Sequence, residues 1–155
     1  MVANRTDLKT RVREEARRLG FSKFGVATAC SLPNGERLQR WLRAGMNGRL
    51  AYLGRQITRR LDPGLVLEGA RSVLVLALSY HSAINTPGSP LSGNISRYAR
   101  GEDYHAIMGD MLESLLASIK GMVPSVRGRC YVDTGPVMEK AWGARAAVGW
   151  MGKNT

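Results

Sequence analysis

The residues best suited to chemistry in this chain lie in the segment Tyr131-Val132-Asp133-Thr134-Gly135-Pro136. A lone carboxylic acid between apolar residues and a glycine–proline turn can give or take a proton, provided its surroundings set its protonation state. Asp133 follows a run, Arg129 to Val132, that reads as a strand, and precedes Pro136, which suits the first turn of a helix. That would put the acid at the carboxyl edge of an open α/β sheet, where loops and helix starts converge on ligands. The same position also suits a plain helix N-cap, and local pattern alone favours the cap.

Elements that must position this segment can be read along the chain. Asp7 suits the cap of a helix on which Leu8, Val12, Ala16 and Leu19 recur, with Gly20 as its end. Phe24 to Ala27 reads as a short strand. Leu38, Trp41 and Leu42 mark a second helix closed by Gly45, and Leu50, Tyr52 and Leu53 a further helical turn. The run Ser72 to Leu78 is apolar on both faces, as a central strand covered by helices on both sides requires. Ser82 to Gly93, rich in proline and glycine, reads as a long loop, and Arg97 to Arg100 as an extended segment. Asp103 caps the clearest helix, with Ile107, Met108, Met111, Leu112, Leu115, Leu116 and Ile119 on one face and Pro124 as a stop. The pattern is α/β, a sheet covered by helices, with no internal domain boundary in the sequence.

Bulk properties narrow the classes. A chain of 155 residues with 44% apolar residues can build a core. The longest apolar run, Ser72 to Tyr80, is too short to cross a membrane. Met1 to Arg18 is charged and helix-patterned, unlike a secretory signal, so the cytoplasm is the expected compartment. The formal net charge is +11, from 23 basic and 12 acidic residues, with arginine in excess. Guanidinium groups pair with phosphate and stack on bases, so the surplus leans toward nucleic acid. Cys30 and Cys130 read as free thiols, and two cysteines cannot supply the four thiolates of an iron–sulfur cluster.

Three blocks taken together are more specific. The first is Arg60-Leu61-Asp62-Pro63 followed by Leu67-Glu68-Gly69-Ala70-Arg71-Ser72-Val73. The second is Ser96-Arg97-Tyr98-Ala99-Arg100-Gly101-Glu102-Asp103-Tyr104-His105. The third runs from Tyr131 through Asp133 and Glu139 to Gly149-Trp150-Met151-Gly152-Lys153-Asn154. In order and spacing they resemble the N-terminal region of epoxyqueuosine reductases, over nearly the whole chain.

The resemblance implies a cobalamin-binding domain of the reductive dehalogenase/epoxyqueuosine reductase type, without a protein ligand on the lower face of cobalt. It implies tRNA as substrate, an epoxide on a modified wobble base reduced to an alkene, and electrons from two [4Fe–4S] clusters in a following ferredoxin-like segment. Asp133 matches the family's proton donor, and burial beneath cofactor and substrate would keep it protonated when needed. Arg60, Ser96, Tyr104, His105, Asp133, Lys153 and Asn154 match positions around the corrin. No cluster ligands follow here, so residues 1–155 read as an incomplete N-terminal cobalamin-binding domain, a truncated product or one part of a split protein. Such a piece is expected to be inactive alone, with an external or C-terminal iron–sulfur donor and no membrane partner.

Asp103-x-His105-x-x-x-Gly109 is close to a signature in which histidine ligates cobalt, but the glycine falls one residue late and the histidine lies at a helix start. No metal ligand is therefore assigned. Two other readings stand beside this one. A non-catalytic basic RNA-binding module leaves the three blocks unexplained. Another corrinoid reductase, such as a reductive dehalogenase, would carry an export signal and a tyrosine donor.

Overall fold

A computed structural model describes residues 5–33, 35–81, 93 and 95–152. The chain divides into two compact units, each made of separated stretches: residues 1–23 with 77–132, and residues 24–76 with 133–155. Two of the breaks fall inside strands and the third in irregular chain, where no change of composition marks them.

The first unit is built on two helices, α1 (Arg5–Arg18) and α4 (Tyr104–Met122). Asp103 caps α4 as expected, its side chain accepting the His105 N–H. Val12, Ala16, Phe21 and Leu115 are the buried core residues, while Ile107 on the expected apolar face is exposed. Across the packed pair, Ser118 donates to Glu15 Oε1 at 2.8 Å. Hydrogen bonds from Arg18 and then Ser118 lower the Glu15 carboxyl to about 2. Asp7 does not cap α1 but lies inside its first turn, because helical residues begin at Arg5. Gly20 closes α1 with φ +103, with Gly20 N–H bonded to Arg17 O and Phe21 N–H to Ala16 O. These paired bonds satisfy carbonyls that a helix end leaves open.

The second unit holds β1 (Lys23–Thr28), α2 (Gly35–Arg43), α3 (Ile57–Leu61), β2 (Ser72–Ala77) and α5 (Glu139–Arg145), with β1 and β2 each reaching one residue beyond it. Short 3-10 helices cover Ala51–Gly54 and Pro63–Leu65. Among the described residues β1 and β2 form a two-stranded sheet. Backbone bonds from Ser22 to Ala77 O and from Ala29 to Arg71 O run in opposite senses, so the pairing is antiparallel. The expected central strand covered on both sides is thus one of a pair, and Leu74 on it is 37% exposed. The core gathers Ala27, Leu32, Ala141, Trp142 and Ala146, backed by Val73, Val75, Val137, Met138 and Val148. Gly25 is buried on β1 because a Cβ there would overlap the Ala146 carbonyl.

Two further expectations are corrected. Arg97–Ala99 is a 3-10 helix, not extended, closed by Ala99 N–H to Ser96 O. Arg129 to Val132 forms no strand, since apolar alternation needs a neighbouring strand to bond and the described residues supply none.

The end of α5 uses the same closure as α1 but without glycine. Ala147 N–H bonds Ala144 O and Val148 N–H bonds Gly143 O, with Ala147 at φ +56. An L residue with a Cβ is strained there by about 1 kcal/mol. Ala147→Gly should therefore raise stability by roughly 0.5–1 kcal/mol, seen as a higher urea midpoint at unchanged slope. A lower midpoint would show that the alanine is not under this strain.

Candidate active site

Asp133 stands outside regular structure. No strand precedes it, and α5 begins only at Glu139, with Met138 at the N-cap and Pro136 before the first turn. The helix-cap role is therefore excluded, as is the expected place at the end of a strand running from Arg129 to Val132. Its backbone has φ +54, a left-handed conformation that aspartate tolerates better than most residues. The residue is exposed in this chain.

Two side chains hold the segment. Asp133 N–H donates to Glu139 Oε1 at 2.8 Å. Arg60, on α3, reaches the Gly135 carbonyl with Nη1 at 3.5 Å, the long end of a hydrogen bond. Glu139 as a residue is exposed, but its carboxyl is turned partly inward. That burial first, and then the negative charge of Asp133, hold the Glu139 carboxyl above its ordinary range, with Arg60 pulling the other way. Arg60 Nε is buried and, among the described residues, has no hydrogen-bond partner. Leaving such a donor unmet costs about 1–3 kcal/mol, so its pairing by a ligand oxygen would be favourable.

Along and beyond α5 a shallow cleft is lined by Lys140, Gly143, Ala144, Val148, Gly149, Trp150 and Met151. Trp150 is 92% exposed there, an unusual position for an indole.

Of the sequence-derived site residues, Arg60 and Asp133 meet through one loop, although Arg60 and Gly135 are 75 positions apart. Ser96, Tyr104 and His105 lie in the first unit. Ser96 is exposed at the N-cap of the 3-10 helix and makes no side-chain cap. Tyr104 stacks on His105 with ring centroids 4.1 Å apart and meets Tyr98 edge-on, which in turn meets Tyr80. His105 Nδ1 lies 2.8 Å from Asp103 Oδ1, in the first turn of α4. The His105 backbone N–H, then its ring, holds the Asp103 carboxyl below its usual range. Lys153 and Asn154 lie outside the described residues. Glu139 was missed as a site residue, for no periodic pattern links it to Asp133.

Both cysteines are free. Burial, then the charge of Glu113, raises the Cys130 thiol to about 11, so it is no nucleophile at neutral pH. Among the described residues no group of three or more His, Cys, Asp or Glu side chains could hold a metal ion, and no helix is long and apolar enough to cross a membrane.

The family model described as "Epoxyqueuosine reductase QueG, DUF1730" matches residues 60–134, a span that starts at Arg60 and closes one residue after Asp133. The epoxyqueuosine reductase of Gloeobacter violaceus is 46% identical over 145 residues, which cover 92% of this chain and 44% of that protein. This chain is similar to epoxyqueuosine reductases over nearly all of its own length. Its relative from Cyclobacterium marinum is 39% identical over 93% of this chain and 47% of its own length. The chain thus spans about half the length of the curated relatives it matches.

Solved members of the family agree in fold. One, an epoxyqueuosine reductase crystallised with an epoxyqueuosine-modified tRNA-Tyr stem loop, superposes with a TM-score of 0.80 at 30% identity, over 97% of this chain and 41% of that one. Another, from Bacillus subtilis, has its catalytic aspartate loop swung out of the active site; the TM-score is 0.79 at 28% identity over the same shares.

Proposed function

We propose that this chain is the cobalamin-facing part of an epoxyqueuosine reductase, acting on epoxyqueuosine in tRNA, with Asp133 as the proton donor. The observation that carries this reading is the Asp133 segment itself. It is a non-helical, left-handed loop held by side chains from two helices, and it closes the span matched by the family. A relative with a catalytic aspartate loop supports the role, and one bound to a modified tRNA stem loop supports the substrate. The +11 charge suits a phosphate-rich partner.

Cobalamin would supply reducing electrons at its cobalt, drawn from iron–sulfur clusters for which this chain, with two cysteines, has no ligand set. In the second unit, Arg60 fits such a group. Arg60 offers a buried, unmatched donor suited to a phosphate or amide oxygen. The resemblance adds Ser96, Tyr104 and His105, which lie in the first unit. Lys153 and Asn154 belong to the same proposed set.

Asp133 gives its proton to the epoxide oxygen as the carbon–oxygen bond breaks. A neutral oxygen leaves more readily than an alkoxide, which is the service a general acid performs. With a second proton from solvent and the two electrons that cobalamin would supply, the oxygen leaves as water and the ring gains an alkene. Neither His105 nor any other side chain is assigned to cobalt.

Binding can be tested with the chain alone. Titrated with cob(II)alamin, it should give the base-off visible spectrum, and electron paramagnetic resonance should show no nitrogen hyperfine structure from histidine. Arg60→Ala should weaken binding about tenfold or more, the scale of one lost charge-assisted bond. Nitrogen coupling abolished by His105→Ala would contradict the assignment. Salt-sensitive tRNA binding with no corrinoid signal would favour a plain RNA module.

A further inference from the structure

The Asp133 amide cannot be held by secondary structure, because no strand forms at 129–132 and α5 starts six residues later. Its left-handed backbone is also not one an L residue keeps without support. The acceptor that meets it is the Glu139 carboxyl, at 2.8 Å. Glu139 is the first residue of α5, and that helix is fixed in the core by Trp142, 2% exposed. The carboxyl is therefore based on a helix anchored in the core, while the segment it holds lies outside regular structure.

Building on the proposed role of Asp133, we infer that Glu139 is a positioning residue, a latch that fixes the backbone of the proton-donor loop, with Arg60 as a second hold at Gly135. A mere helix-start role for Glu139 would leave it turned to water, where an acidic residue already favours the helix N-terminus. Instead the carboxyl accepts partial burial and the company of Asp133, which raise it. The bond to the amide offsets that cost. The two holds act on alternate residues, Asp133 by its N–H and Gly135 by its carbonyl. Between them they set the path of the chain on both sides of Thr134, and so the direction in which the Asp133 side chain leaves the backbone.

The test is amide hydrogen exchange in the isotopically labelled chain, read at Asp133 and at Trp142, whose N–H bonds Met138 O inside α5. Glu139→Ala should speed exchange at Asp133 about tenfold or more while Trp142 stays as it was. Glu139→Gln, which keeps an acceptor oxygen, should stay close to the unsubstituted rate. The latch is overturned if Asp133 exchange does not change in Glu139→Ala, if it rises only in step with Trp142, or if the Gln variant exchanges as fast as the Ala one. No cofactor or substrate enters this measurement. Its failure leaves the proton-donor role standing, whereas an intact latch with turnover retained in Asp133→Asn removes that role and keeps the latch.

Discussion

Trp142→Ala should lower the unfolding free energy of this chain by about 3–5 kcal/mol, measured by urea denaturation followed through circular dichroism. Trp142 is the largest fully buried side chain among the described residues, at 2% exposure. Its buried neighbours Ala27, Ala141 and Ala146 are methyl-bearing residues too short to reach into the space an indole leaves. Leu32 and the surrounding valines are branched and held on other elements, so collapse of the cavity would be partial. Arg145 also lies over the indole, 5.6 Å from its centroid, and would lose that contact. Domains of this size are stable by about 5–15 kcal/mol, so the change removes a large share. Trp150→Ala gives the internal control. At 92% exposure its removal should change stability by no more than about 0.5 kcal/mol. Equal losses at both positions would mean that α5 is not the centre of its unit.

How far the sequence foretells this arrangement depends on the kind of signal each element carries. Helix α4 is plain because a capping aspartate, an apolar face at helical spacing and a following proline all agree. The ends of α1 and α2 are plain because Gly20 and Gly45 stand where a left-handed residue is needed. The end of α5 carries no such mark, since alanine occupies the same conformation at Ala147. Arg129 to Val132 has strand-like residues, yet a strand exists only where a neighbour bonds it, and the local sequence does not report neighbours. The site divides the same way. Asp133 stood out by type and by its place in a matching block, but its supports did not. Arg60 reaches its loop across 75 positions, and Glu139 acts through a backbone amide that no residue pattern encodes.

Asp133→Asn should reduce turnover by about 10²–10⁴-fold in a protein that joins this chain to an iron–sulfur segment of the kind the proposed function calls for. Asparagine is the right replacement because it tolerates the left-handed backbone at φ +54 and leaves the amide bond to Glu139 intact. What it removes is the acidic proton. The loss should therefore fall on the rate of the bound complex, with tRNA affinity and corrinoid binding unchanged. Asp133→Ala would confuse the two effects, since it strains the same backbone and also shortens the side chain. A change confined to substrate affinity would point to a binding role for the carboxylate instead.

In the proposed reaction Asp133 delivers the proton to the epoxide oxygen, and that role carries the whole assignment. It is tested most directly by single-turnover conversion of an epoxyqueuosine-bearing tRNA stem loop, with cobalamin loaded and a strong chemical reductant supplying electrons. The protein with Asp133 should convert the bound stem loop to the queuosine form. Asp133→Asn, with the same corrinoid spectrum and stem-loop affinity, should leave the epoxide intact over the same time. Conversion by Asp133→Asn at the unsubstituted rate would contradict the assignment.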